Sequence, residues 1–330
     1  MRQHTATFAN FVCKFGRDKN LLDYGESIVI PALSGTHVAR KYGETSYHFL
    51  DVKVELIGEE SARSVVLTGR FVKNTILRRV QVLDAQGGLS KDDHAISSAP
   101  SAFFVLALGV HRLIYFAETP NAPDLKSFSL AAGEVIRTRY DRFIDEQYAE
   151  RKLRGDKVTK KALREQHPAP SVVVIPLTDP SDLKAFVSRF QKLTRIQFHL
   201  VPSNAEIDGK EMWKAIRDAT DRVGAEKTKV EHRSGEGLNK AEAVNEIADA
   251  SATGNQIVRL EGIDKTGHVL KGDNKNYQLT VPLPDPPSDR TALAKALTNL
   301  FFERVDSQTI KIDDVEVDQK ALDGIRKAYL

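Results

Sequence analysis

Hydrophobic and polar positions alternate with a period of two over much of the first 120 residues. In His48 to Leu56, Leu50, Val52, Val54 and Leu56 fall on one side and Asp51, Lys53 and Glu55 on the other. That is the pattern of a strand with one buried face. Thr7 to Phe15, Ser27 to Ile30, Ser64 to Val72, Ile76 to Leu83, Phe103 to Leu108 and Val110 to Phe116 read as further strands. They are rich in β-branched and aromatic residues, and Gly58 and Gly109 punctuate them. The short connections predict antiparallel neighbours with one wet face. Asp124 caps a short helix through Leu125 and Phe128. From Gly133 to about Gln166 the period becomes helical, with Ile136, Tyr140, Phe143, Ile144 and Tyr148 in one stripe. The stripe fades after Leu153, and Gly133 and Gly155 are candidate hinges or ordinary helix ends.

The second half changes character. Ser171 to Leu177 is a continuous apolar strand of the buried kind. Asp179 or Ser181 caps a helix whose Leu183, Phe186, Val187, Phe190 and Leu193 share a face. Arg195 to Val201 and Lys227 to His232 read as strands. Asp208 with Glu211, and Asn239 with Glu242, open two more helices. Gln256 to Ile263 is expected to pair with a strand ending at Tyr277 to Val281. This order, βαβαβαββ, predicts a small α/β sandwich. A helix from Asp289 to Phe302, an edge strand at Ile310 and Ile312, and a terminal helix through Val317, Leu322 and Ile325 complete the chain. The expected fold class is therefore α+β. An N-terminal antiparallel β-rich domain (1–132) leads through a basic helical connector (133–168) to an α/β domain with a C-terminal helix and an acidic tail (169–330).

Composition narrows the function classes. The chain has 330 residues, 28% charged and 41% hydrophobic, which supports two cores rather than disorder. Cys13 is the only cysteine. That excludes an internal disulfide and a cysteine-rich zinc module, and its apolar strand predicts a buried, inert thiol. The start shows no basic-then-apolar leader, and no apolar run approaches about 20 residues. The expected location is cytoplasmic, with a membrane reached only through a partner. The net charge is +3. Between Arg137 and Arg164, however, stand ten cations and five anions, a surplus larger than that of the whole chain. The rest is slightly acidic, so the positive field is concentrated in the connector.

No phosphate-loop, dinucleotide-loop or nucleophile-elbow motif occurs, the nine histidines are scattered, and no cofactor is expected. Asp51, Lys53 and Glu55 on one strand face could hold a metal and polarise a phosphate, or could be a solvated face. Asp313 to Asp318 reads as a solvated or partner-binding acidic tail. The basic residues carry more. Arg137, Arg139, Arg142, Arg151, Lys152, Arg154, Lys160, Lys161 and Arg164 are candidates for phosphate contact. Lys184, Ser188 and Arg195 fall at helical spacing and, with Lys192, extend the same field. Without a recognition helix, zinc finger or RNP-type aromatics, backbone contact with weak sequence preference is expected.

Two compound patterns carry a family resemblance. The first is Ala99-Pro100-Ser101-Ala102-Phe103-Phe104-Val105, then His111-Arg112-Leu113-Ile114-Tyr115-Phe116-Ala117, then Asn121-Ala122-Pro123-Asp124-Leu125-Lys126-Ser127-Phe128. The second runs from Val258-Arg259-Leu260-Glu261-Gly262 through His268-Val269-Leu270 to Leu279-Thr280-Val281-Pro282-Leu283. In this order they resemble the cytoplasmic DNA-binding component of lambda-type Rex phage-exclusion systems and related prophage defence proteins. The resemblance implies a homodimer on double-stranded DNA, little sequence preference, and a membrane-protein partner that delivers the response to phage. The residues alone leave two alternatives: a metal-dependent nuclease using Asp51, Lys53 and Glu55, and an interaction scaffold in which acidic tail and basic connector pair between protomers.

Overall fold

The computed structural model describes residues 4–35, 38–58, 63–83, 87–201, 211–225, 227–251, 254–312 and 317–330. The architecture is α+β. β1 (Thr5–Phe15) is followed by β2 (Lys19–Asn20), which folds back on its end. A short helical stretch over Leu22–Val29 leads into α1 (Ile30–Ser34). Then come β3 (Val38–Tyr42), β4 (Thr45–Ile57), β5 (Ser64–Leu83), β6 (Leu89–Ser98), β7 (Ser101–Ala107) and β8 (Arg112–Ala117). These strands pair antiparallel, but Ser64 to Val72 and Ile76 to Leu83 are one continuous strand, β5, rather than two neighbours, and β3 and β6 are additional to the strands expected. Ser27 to Ile30 is helical rather than a strand. The following Pro31 fits the first turn of α1, where its missing N–H costs nothing.

α2 (Leu125–Leu153) runs straight through Gly133, so the short helix and the expected connector helix are one. Gly133 is not a hinge. A Cβ there would lie 3.7 Å from Val172, where β9 (Pro170–Pro176) passes beneath the helix. α3 (Lys160–Gln166) is separate, because Gly155 at φ +86° ends the preceding run.

The strand expected to open the second domain instead joins the first sheet. β9 pairs with Ala9 to Phe15 of β1, in register Ala9 with Pro176 and Phe15 with Pro170. Beyond it the chain builds α4 (Pro180–Ser188), β10 (Phe190–Leu200), α5 (Glu211–Arg222), β11 (Thr228–Arg233), α6 (Lys240–Ser251), β12 (Gln256–Asp264) and β13 (Val269–Asp273). It then returns through a tight turn at Asn274–Tyr277 to β14 (Thr280–Pro282), which pairs with the start of β1. Entry and exit lie side by side. Leu279 N–H donates to Leu177 O at 2.7 Å and Asp179 N–H to Tyr277 O at 2.8 Å. The α/β unit is thus inserted between two strands of the first sheet. β12 pairs with β13, not with the strand ending at Val281. Among the described residues the first sheet has ten strands and the second has four, ordered β11-β10-β12-β13.

The residues on each face decide what covers it. On one side of the large sheet, Phe11, Cys13, Phe15, Phe49, Phe71, Phe104 and Leu106 pack against Phe128, Ile136, Tyr140 and Ile144 of α2. Phe128 meets the rings of Phe11, Phe49, Phe71, Phe104 and Tyr115, centroid to centroid, at 5.2–6.4 Å. Burying one such side chain contributes about 3 kcal/mol. Leu322 and Ile325 of α8 (Gln319–Tyr329) seal the same core. On the other side, Phe8, Val66, Phe103, Ile114 and Phe116 pack on Leu293, Leu297 and Phe301 of α7 (Arg290–Asp306). Ile310 is buried here and lies outside any strand. In the small sheet, Ile196, Phe198, Val258 and Leu260 pack on α4, α5 and α6. Asp208 and Asp313 to Glu316 lie outside the described residues. Asp318 caps α8, accepting from Ala321 N–H at 3.0 Å.

Candidate nucleic-acid interface

α2 begins at Asp124, whose carboxylate accepts from Ser127 N–H at 2.8 Å. Leu125, Phe128, Ala132, Ile136, Tyr140 and Ile144 recur every three or four residues and are buried. The opposite faces are left to charge. α3 folds back onto α2 because Leu163 is buried there and Tyr140 Oη donates to His167 O at 2.7 Å. Thr159 caps α3 by accepting from Ala162 N–H at 3.1 Å. The connector is therefore a helical hairpin.

Its cations divide into two groups. Arg139 pairs with Glu146 at 3.0 Å, Lys160 with Asp145 at 2.5 Å, Arg164 with Asp141 at 3.0 Å, and Arg154 with Glu150. Arg137, Arg142, Arg151, Lys152, Lys157 and Lys161 have no ion pair among the described residues. The four pairs cancel, so the surplus of five remains on this second group and Asp156. Lys152 and Lys160 both sit 5.7 Å from the centre of the Tyr148 ring. The His167 imidazole is held below its ordinary pKa by burial first, then by Lys19 and Arg151. The cations surround α2 rather than lining one stripe. At about 100° per residue, Arg137 and Arg142 point about 140° apart. Arg142 lines a shallow cleft against α1 with Pro31 and Val38.

The second basic group does not join the first. The stripe expected from Lys184 through Ser188 to Arg195 is broken, because α4 stops at Ser188 and β10 starts at Phe190. Phe190, Leu193, Ile196 and Phe198 point to the core of the small sheet, and that pattern favours the strand. Lys184 is exposed on α4, and Lys192 lies 4.0 Å from Glu236. Arg195 is on the open face of the small sheet, paired with Glu261. There it shares a concavity of about 370 Å³ with Gln197, Arg259, Lys271, Asp273 and Asn276. The neighbouring Lys275 binds Asp124 at the start of α2 at 2.7 Å. A helix rises about 1.5 Å per residue, so Arg137 is about 20 Å and Arg151 about 40 Å along α2 from that point. Arg259 and Lys271 were missed from sequence. The outward alternation of β10 and β12 (Arg195, Gln197, Arg259, Glu261) is the signal that could have found them.

The trio Asp51, Lys53 and Glu55 is not an open metal site. β4 carries a bulge between Leu50 and Lys53, with Asp51 at φ +53°. The extra residue shifts the alternation, so Leu50 is exposed while Phe49, Val52 and Val54 face the core. Arg290 Nη1 holds Glu55 at 2.9 Å, and Thr68 Oγ1 donates to the same carboxylate. Arg290 Nη2 also donates to Asp51 O at 3.0 Å. Arg70 binds Asp51 at 3.2 Å and Glu118 at 3.0 Å. Both guanidiniums lie 5.9 Å from the centre of the Phe103 ring. This is an arginine-bridged network that fastens α7 to the sheet. Among the described residues no cluster of three His, Cys, Asp or Glu could hold a metal ion.

A third basic set had no sequence signal. Lys14 on β1, His111 in the β7–β8 turn and Arg112 at the start of β8 are all buried. Cys13 is also buried, and desolvation pushes its thiol up to about 12, as an inert thiol requires.

Compared with known proteins, the chain matches no family model and no curated protein.

Proposed function

We propose that the protein binds the phosphate backbone of double-stranded DNA, without a chemical step of its own and with little sequence preference, as a homodimer. The observation that carries this reading is the α2–α3 hairpin, where six cations stand without a carboxylate partner among the described residues. Fixed, solvent-facing charge of one sign attracts a polyanion and is free to displace its counterions. Arg137, Arg142, Arg151, Lys152, Lys157 and Lys161 are the primary contacts. The paired Arg139, Arg154, Lys160 and Arg164 contribute field and can exchange partners. Lys184, Lys192 and Arg195 are secondary, because they lie on another part of the molecule.

The resemblance of segments 99–128 and 258–283 supports a role as a sensor in anti-phage defence. Among the described residues no helix is long and apolar enough to cross a membrane. A membrane response would then come from a separate effector protein.

The test is fluorescence anisotropy with an unrelated DNA duplex across a salt titration. Each neutralised phosphate contributes about −0.9 to the slope of log K against log salt. A slope of about −4 to −9 is expected. Absence of binding at low salt would overturn the reading and return the hairpin to a solvated or protein-facing role.

A further inference from the structure

We propose that the ribbon formed by the outer half of β5 and all of β6 is the surface on which a second copy of this chain docks. From Thr75 onward β5 pairs, among the described residues, only with β6, so the ribbon leaves the sheet as two strands. Ile76, Leu77, Val80, Leu83, Leu89 and Ile96 are all exposed on it, Leu83 and Leu89 to 72%. Leu77 stands opposite Ile96 and Leu83 opposite Leu89 on one face, and Ile76 and Val80 lie on the other. A two-stranded hairpin is at best marginally stable alone in water. One that shows apolar side chains on both faces calls for a cover.

Charge and area identify that cover. Every charged pair on the ribbon closes within the chain: Arg79 with Asp92, Lys91 with Asp93, and Arg78 with Glu44 at its base. That neutral, self-paired pattern suits neither a polyanion nor a strongly charged protein, whereas homodimer interfaces are the more apolar class. The edge of β6 is an unsuitable contact. Its extra residue at Asp92–Asp93 and its charges are the features that block edge-to-edge strand addition. The faces are what remain. Nine residues at about 3.4 Å over two strands give about 300 Å² per face, or about 600 Å² for both. The exposed Val38 and Tyr42 of the neighbouring edge strand β3 extend this toward the ~800 Å² per partner of a stable interface. One copy's ribbon lies against the ribbon and β3 of the other about a two-fold axis.

This inference rests on the dimeric part of the function proposed above and not on DNA binding, so the experiment contains no nucleic acid. Sedimentation equilibrium of the full chain at micromolar concentration is expected to give a dimer. In the double variant Leu77→Lys/Ile96→Glu the new charges oppose each other across the ribbon, which keeps its own pairing while charging the face. Its dimer dissociation constant is expected to rise about 100-fold with an unchanged melting temperature. As a second arm, Val80→Cys carries a nitroxide label, which the buried Cys13 does not take up. A dipolar coupling between copies is expected. A monomeric wild type overturns both the dimer and the ribbon assignment. A dimer that persists in the double variant, or no coupling at residue 80 within an intact dimer, overturns the ribbon assignment alone.

Discussion

Two sets of basic side chains stand in opposite surroundings. Lys14, His111 and Arg112 are less than 10% exposed, where the large sheet meets the inserted α/β unit. Asn10 pairs with Arg112 in the β1–β8 register, and Phe11 N–H donates to His111 O at 2.9 Å. Asn10 Nδ2 also donates to Asn255 Oδ1 at 3.0 Å, across the junction. Gly254, at φ +71°, lets the two units approach this closely, since a Cβ there would lie 2.8 Å from Asn10 Cβ. The cations of the α2–α3 hairpin instead face water. In the interior, charge opposes folding unless it is paired or neutralised. At the surface it is nearly neutral for stability and available to a ligand. A sequence counts both sets alike; only the fold separates the buried basic groups from the solvent-facing ones.

The largest expected effect that could break this contrast is the titration of His111. Burial first, then Arg112 and Lys14, push its pKa down to about 3. The unfolded chain, near 6.5, takes up the proton first as pH falls. Stability from this group is therefore intact above pH 6.5 and declines between 6.5 and about 3, by about 1.4 kcal/mol per pH unit. His111→Asn tolerates the φ of +53° and removes the titration. Urea unfolding between pH 7 and 4.5 should show a steeper loss in the wild type than in the variant. Equal pH slopes would mean that His111 is accessible to protons in the folded state.

The Arg290 network comes next. Its side chain is 17% exposed and that of Glu55 is 21%, between the limits of surface and buried pairs. Arg290→Met should destabilise by about 2–3 kcal/mol, read as a shift in the urea midpoint. Adding Glu55→Gln should restore part of that loss, because the unpaired carboxylate is then removed. A single variant as stable as the wild type would make this an ordinary surface pair.

The same division explains what was legible beforehand. Alternation located β1, β4, β5, β7 and β8 because each has one wet and one dry side, or a strongly β-forming composition. The helical stripe at Ile136, Tyr140 and Ile144 was visible for the same reason. Local pattern could not show that β9 would pair with β1 across more than 150 positions. Nor could it show that one extra residue at Asp51 would break the alternation between Asp51 and the pair Lys53 and Glu55. The hairpin's surplus of charge was legible, but its pairing was not. Lys160 meets Asp145 and Arg164 meets Asp141 only after α3 folds back. Ile76 to Leu83 is extended as read, but it continues β5 instead of forming a separate strand with one wet face, and its exposure depends on which strands fail to cover it.

The third prediction sharpens the surface half of the contrast. Arg137, Arg142 and Lys161 replaced together by Ala should lower the salt slope of DNA binding by about 2.7. Arg139, Lys160 and Arg164 replaced together should lower it less, because each already neutralises a carboxylate. Equal effects from the two triple variants would show that the ion pairs dissolve when DNA binds. An unaltered slope in both would take the hairpin out of the interface.

The smallest effect joins the two regions. Asp124 caps α2 and holds Lys275 of the inserted unit. Burial pushes its pKa up, but Lys275 and the Ser127 N–H more than offset this, leaving it below its usual value. Its contribution is therefore present above about pH 4 and is lost as pH falls through the lowered folded value. Asp124→Ala should cost about 1 kcal/mol at neutral pH, through loss of the cap. Asp124→Asn keeps an acceptor for Ser127 and loses only the charge, so its melting temperature should lie between those of Ala and wild type. If Asn melts with the wild type, the Lys275 contact is a solvated pair of no consequence. If Asn melts with Ala, the carboxylate charge at the start of α2 matters more than the hydrogen bond. The inserted unit is then fastened to α2 by electrostatics, at the end of the helix about 20–40 Å from the α2 cations proposed to meet DNA.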